Sequence, residues 1–207
     1  MNINYHKLCL EEISKLEKPK KILLHSCCAP CSSYVISFLS NYFDITILYY
    51  NPNIYPQEEY IKRKQEQIKL IKELNTKNKL VFLDCDYEND TYNNLIKGYE
   101  GCPEGKERCQ ICFNLRLERT AQLAKLHNYD YFCSTLTVSP HKNSKVINEI
   151  GEKISKIYNI NWLYSDFKKN EGFKQSIELS KKYNLYRQDY CGCIFSQEIR
   201  KKQEITN

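Results

Sequence analysis

The stretch KILLHSCCAPCS, residues 21–32, is an apolar, strand-like run that ends in two adjacent cysteines, Cys27 and Cys28, with a third at Cys31. Consecutive side chains of an extended segment point to opposite sides, so packing alone gives no reason for neighbouring thiols. Similar short runs rich in β-branched and aromatic residues recur at 44–50, 79–84, 130–137 and 161–164. Helical patterns lie between them. Pro56 stands at a first-turn position, after which Ile61, Ile68, Ile71 and Leu74 share a face, and Ile147, Ile150, Ile154 and Ile157 mark a second such face. Near-continuous apolar strands alternating with helices predict an α/β fold: a doubly wound, mostly parallel, Rossmann-like sheet covered on both sides.

In such sheets ligands bind beyond the carboxyl ends of the strands. HSCCAPCS occupies that place after the first strand, NPNIYPQEEY after the second and STLTVSPHKN after the fourth. A phosphate-cradling loop at the first position needs glycines, and the first of only six glycines is Gly98. The expectation is therefore no nucleotide cofactor, with thiols in place of the glycine-rich turn.

At 207 residues the chain is long enough for one domain, 1–207, that folds without disulfides. Eleven cysteines are many, but the number is odd and no secretory leader is visible at the amino end. No apolar run approaches the ~20 residues of a membrane helix. These features predict a cytoplasmic protein with no membrane partner, in which clustered cysteines serve metal or redox chemistry. Lysine and arginine number 31 against 25 acidic residues, and residues 151–207 hold 11 basic and 7 acidic side chains. That gives a basic carboxyl-terminal helical portion from about 165, in which Lys168, Lys169, Lys181 and Lys182 are either nucleic-acid contacts or a solvated surface.

Cys9, Cys85 and Cys133 are isolated and read as small core hydrophobes. The other eight cluster as Cys27, Cys28 and Cys31; Cys102, Cys109 and Cys112; and Cys191 and Cys193. Cys109 and Cys112 head a strongly helical run, where positions i and i+3 share a face and the helix amino end favours thiolate. Alone, the pair suits a redox couple or half a zinc site. Joined to CCAPC it suits a four-thiolate centre, and adjacent cysteines bind different irons of a cluster more readily than a single zinc. Cys191 and Cys193, separated by Gly192, suit either a strained, redox-active disulfide or two further metal ligands. Tyr190, Asp189 and His25 adjoin these motifs as proton donors or structural groups. Arg63, Arg108, Arg116, Arg119 and Arg187 are candidate phosphate contacts.

Taken together, LLHSCCAPCS, YYNPNIYPQEEY, EGKERCQICFNLRLERTA, STLTVSPHKN, DFKKNEGFKQSIELS and LYRQDYCGCIFS resemble the cobalamin-independent epoxyqueuosine reductase family (QueH type) from about residue 21 to 196. The likeness departs at Lys106, where the family pattern has a glycine. The resemblance implies an oxidoreductase that reduces epoxyqueuosine to queuosine at the wobble position of tRNA, with electrons from an unidentified donor and without cobalamin. It further implies a 4Fe-4S cluster on Cys27, Cys28, Cys109 and Cys112 and a redox-active disulfide between Cys191 and Cys193. Cys31 is left as a ligand of an adjacent mononuclear iron or zinc ion, or as a free thiol; Cys102 receives no role. The rival readings are a zinc-binding nucleic-acid module and an iron-sulfur disulfide reductase.

Overall fold

A computed structural model describes residues 3–206. Five strands, β1 (Lys20–His25), β2 (Phe43–Leu48), β3 (Leu80–Leu83), β4 (Tyr131–Ser134) and β5 (Asn161–Trp162), form one parallel sheet in the order β3-β2-β1-β4-β5. Eight helices accompany them: α1 (Tyr5–Ser14), α2 (Ala29–Leu39), α3 (Gln57–Glu73), α4 (Asn89–Leu95), α5 (Glu107–Leu126), α6 (Ser144–Tyr158), α7 (Gly172–Lys182) and α8 (Ile194–Thr206). The alternation of β1 sends Ile22 and Leu24 to one core, with Val35, Leu39, Ile45, Ile47 and Cys133. Leu23 goes to the other, with Phe113, Leu117, Phe132, Ile147 and Trp162. Two cores on opposite faces of one sheet are the doubly wound architecture expected.

The chain adds strands outward from β1 through β2 to β3, then returns to the other side of β1 with β4. The carboxyl ends of β1 and β4 therefore flank the point where strand order reverses, the crevice such sheets use for ligands. β4 is shorter than the expected 130–137. Its last partner is His25, paired with Ser134, beyond which β1 has no residues left to bond. Thr135–Val138 instead form one 3₁₀ turn, opened by the Ser134 hydroxyl accepting the Leu136 N–H at 3.2 Å.

Two helix faces differ from the apolar pattern. Pro56 is the N-cap of α3, and the residues α3 buries are Tyr60, Arg63, Gln67 and Leu70, whereas Ile61 is exposed. Polar groups occupy that face because it meets the cysteine loops: the Ser26 and Ser32 hydroxyls donate to Gln67 Oε1 at 2.6 and 2.8 Å. On α6, Ile147 and Ile154 are buried as expected, while Ile157 is exposed.

Candidate active site

The sulfur atoms of Cys27, Cys28 and Cys31 lie within 4.8 Å of one another, and those of Cys27 and Cys28 are 3.9 Å apart. Adjacent thiols converge because the chain leaves β1 at His25 and Cys28 is already the N-cap of α2, so the extended alternation is broken between them. The 3₁₀ turn after β4 completes the seat: Thr135 Oγ1 accepts the Cys27 N–H at 3.2 Å and lies 3.5 Å from the Cys27 sulfur. Hydrogen bonds from the Cys28 and Cys31 thiols hold the Cys27 thiol well below its ordinary pKa. The same contacts push the Cys28 thiol up to about 12 and Cys31 well above the usual range.

The first turns of α5 carry Cys109, whose sulfur accepts the Gly105 N–H at 3.1 Å, and buried Cys112. Burial pushes Cys112 up to about 12, partly opposed by Arg116. These two do not join the close trio. They share a small cavity of about 30 Å³ with Cys191 and Cys193, and Asn53, Arg116 and Lys142 also border it. A larger cavity of about 560 Å³ opens beside it, walled by Cys27, Cys28, Cys31 and Cys191. Arg116, Asn53, Lys142 and Cys191 border both spaces, so all three cysteine motifs meet at one place. Cys102 is half-buried and borders neither.

Cys191 and Cys193 stand as free thiols. Gly192 between them adopts φ +125°, and a Cβ there would stand 3.0 Å from Ile54 and 3.1 Å from Arg63. The loop is clamped by the Tyr55 N–H donating to the Gly192 carbonyl at 2.9 Å and by Arg63 Nη1 donating to the Cys191 carbonyl at 3.3 Å. Ser196 Oγ lies 3.4 Å from the Cys193 sulfur.

The remaining candidates separate by environment. His25 is fully buried; its Nε2–H donates to the Tyr50 carbonyl at 3.1 Å, leaving Nδ1 to accept from the Ser134 hydroxyl at 2.9 Å. Burial lowers its pKa to about 3, so it is a neutral strut between strands and no proton donor. Asp189 is exposed and paired with Arg200 at 2.7 Å. Tyr190 borders the larger cavity, with the Arg63 guanidinium 4.8 Å from its ring.

Among the arginines, Arg63 is buried against Glu59 at 2.6 Å, and Arg108 is buried, donating to the Glu100 carbonyl at 2.6 Å over the Phe195 ring. Arg119 borders a separate groove with Cys85, which is half-buried there and packs against the edge of the second core. Arg187 alone of the five is an exposed side chain on the cavity wall. Cys9 and Cys133 do pack in the core. Sequence reasoning passed over Asn53, Lys142 and Gln67, although NPN and SPHKN stand at strand ends where ligands bind.

A sulfur-only donor set of this kind suits iron or zinc. The family model for Epoxyqueuosine reductase QueH matches residues 22–199. A Staphylococcus epidermidis protein named Epoxyqueuosine reductase QueH is 45% identical over 201 residues, covering 94% of this chain and 84% of that relative. The proteins of the same name from Streptococcus pyogenes serotype M1 and Thermotoga maritima are 42% and 33% identical, over 96% and 88% of this chain and 80% and 93% of theirs. With its thiols gathered at the sheet's switch point and this likeness running through nearly its whole length, the chain belongs to the epoxyqueuosine reductase QueH family.

Proposed function

We propose that the chain is an oxidoreductase of queuosine biosynthesis, reducing epoxyqueuosine to queuosine at the wobble position of tRNA in the cytoplasm. The observation that carries this reading is the cavity of about 560 Å³ whose floor is three thiols and whose wall includes a fourth, Cys191. It is large enough for a nucleoside turned out of its strand, and Phe173 and Tyr190 offer rings beside it for stacking. Lys142 and exposed Arg187 supply positive charge for flanking phosphates. No helix of the described residues is long and apolar enough to cross a membrane.

Turning an epoxide into an alkene consumes two electrons and two protons and releases water. Cys27, Cys28, Cys109 and Cys112 would hold a 4Fe-4S cluster, with Cys31 left for an adjacent iron or zinc ion. Such a centre supplies single electrons and Lewis acidity towards the epoxide oxygen. Cys191 and Cys193 form the two-electron couple, cycling between dithiol and disulfide, and Gly192 gives their backbone the bend that ring closure needs. The Thr135 hydroxyl and Gly105 N–H orient the sulfurs of Cys27 and Cys109.

The test is incubation of anaerobically purified protein with a low-potential reductant and tRNA bearing epoxyqueuosine, read by nucleoside mass spectrometry. Queuosine should appear, and the protein should be brown with about four irons in the cluster. Colourless, zinc-loaded protein that binds RNA without turnover would make it a nucleic-acid module. Turnover of small disulfides alone would make it a disulfide reductase.

A further inference from the structure

We infer that Arg116 is the internal counter-charge of the thiolate-bound centre and sets its reduction potential. The inference rests on the iron-sulfur reading of the cysteines. Arg116 lies one turn after Cys112 on α5, and its side chain is only 1% exposed. Its Nε donates to the Cys112 carbonyl at 3.1 Å, and Nη2 has no partner. It makes no ion pair among the described residues, which distinguishes it from equally buried Arg63, held by Glu59 at 2.6 Å. A guanidinium taken out of water costs several kcal/mol unless an anion faces it. The groups whose charge favours its own are, largest first, Cys112, Cys191, Cys27 and Tyr92, of which the three thiols come one from each of the cysteine motifs. It also borders both cavities that these thiols line.

Among the described residues no carboxylate pairs with this charge, although exposed Glu104 borders both cavities; the sulfurs of the centre are the charges that chiefly favour it, and compensation works in both directions. Each thiolate of a bound cluster adds negative charge, and a further electron adds more. A fixed positive charge without a carboxylate beside it favours the reduced form, because net charge and hydrogen bonds to sulfur set cluster potentials. A carboxylate partner would have cancelled that effect. Arg116 acts on the substrate only through the centre, so it is a positioning and tuning residue. Lys142, half-buried at the cavity edge, is a second positive charge facing Cys27, Cys31 and Cys191.

The inference separates from a merely structural role by sign. Arg116→Met keeps most of the volume and removes the charge; Arg116→Lys keeps the charge and loses the Nε bond. In metal-free protein, Arg116→Met removes a buried unpaired cation, so its thermal midpoint should equal or exceed that of the wild type. In anaerobically reconstituted protein, a redox titration followed by visible absorbance and EPR should show Arg116→Met harder to reduce. At fixed potential the reduced-to-oxidised ratio should fall tenfold or more, which is about 59 mV or more for a one-electron couple. Arg116→Lys should fall between Arg116→Met and the wild type. An unmoved potential in Arg116→Met with its cluster bound overturns the inference. So does a metal-free Arg116→Met variant that is less stable than the wild type or does not fold. Wild-type protein that holds only zinc, or no metal, removes the iron-sulfur reading and this inference together, whereas a bound cluster with an unmoved potential removes the inference alone.

Discussion

A methyl group at Gly151 would stand 2.4 Å from the indole ring of Trp162, whose Nε1–H is fixed by Asn148 Oδ1 at 3.0 Å. Neither α6 nor β5 can give way without disturbing the core they share, so Gly151→Ala should cost about 1–3 kcal/mol of unfolding free energy in urea. Gly101→Ala, facing open space, should not change stability measurably. At Gly192 the same methyl meets Ile54 and Arg63 from a left-handed backbone conformation. Gly192→Ala should therefore cost about 1–3 kcal/mol, also by urea unfolding, and slow the thiol-disulfide cycling proposed for Cys191 and Cys193. Individual residues were legible in the sequence where their chemistry is unusual for packing. Neighbouring Cys27 and Cys28, and the CxC pair around a glycine, announce themselves by spacing. Asn53 and Gln67 do not, because a lone polar residue inside a helix or loop reads as solvent-facing. Only the fold reveals that solvent does not reach it.

At the scale of elements, β-branched runs bounded by polar turns located all five strands, and their order of appearance was enough for the doubly wound class. The end of β4 was not readable: residues 135–138 are apolar and β-branched enough to continue a strand, but β1 stops and leaves them nothing to pair with. The inward face of α3 escaped for a different reason. Hydrophobic periodicity finds a face that meets apolar partners, whereas α3 lays Arg63 and Gln67 against the cysteine loops. Helix α6 carries a testable link between element and site. Its N-cap Asn143 accepts the N–H groups of Lys145 and Val146 through Oδ1, at 3.0 and 3.4 Å, immediately after the cavity residues His141 and Lys142. Asn143→Ala should lower stability by about 1 kcal/mol in urea unfolding. It should also raise KM for the tRNA more than it lowers kcat, because the loop that carries Lys142 loses its anchor.

Across the whole molecule, the net charge of +6 does not say where RNA would lie, and the two basic regions make opposite claims. The lysine-rich stretch 168–182, which includes α7, is the one sequence composition favours. Yet Lys168 is tied to Asp166 at 2.6 Å, and Lys182 borders a groove of its own with Tyr34 and Phe38, distinct from the thiol cavity. Lys142 and Arg187 border the cavity itself. A nucleotide that reaches the thiols must pass its flanking phosphates over that edge, and each phosphate contact contributes about 0.7 to the log-log salt slope for a single strand. Lys142→Gln and Arg187→Gln should each flatten the slope of anticodon stem-loop binding by about that amount, measured by fluorescence anisotropy between low and moderate salt. Lys181→Gln and Lys182→Gln should leave it unchanged, and all four variants should keep the metal content of the wild type. The reverse pattern, with the slope carried by α7 and untouched at the cavity edge, would put the RNA across α7. It would then have no direct route for the modified base into the thiol cavity.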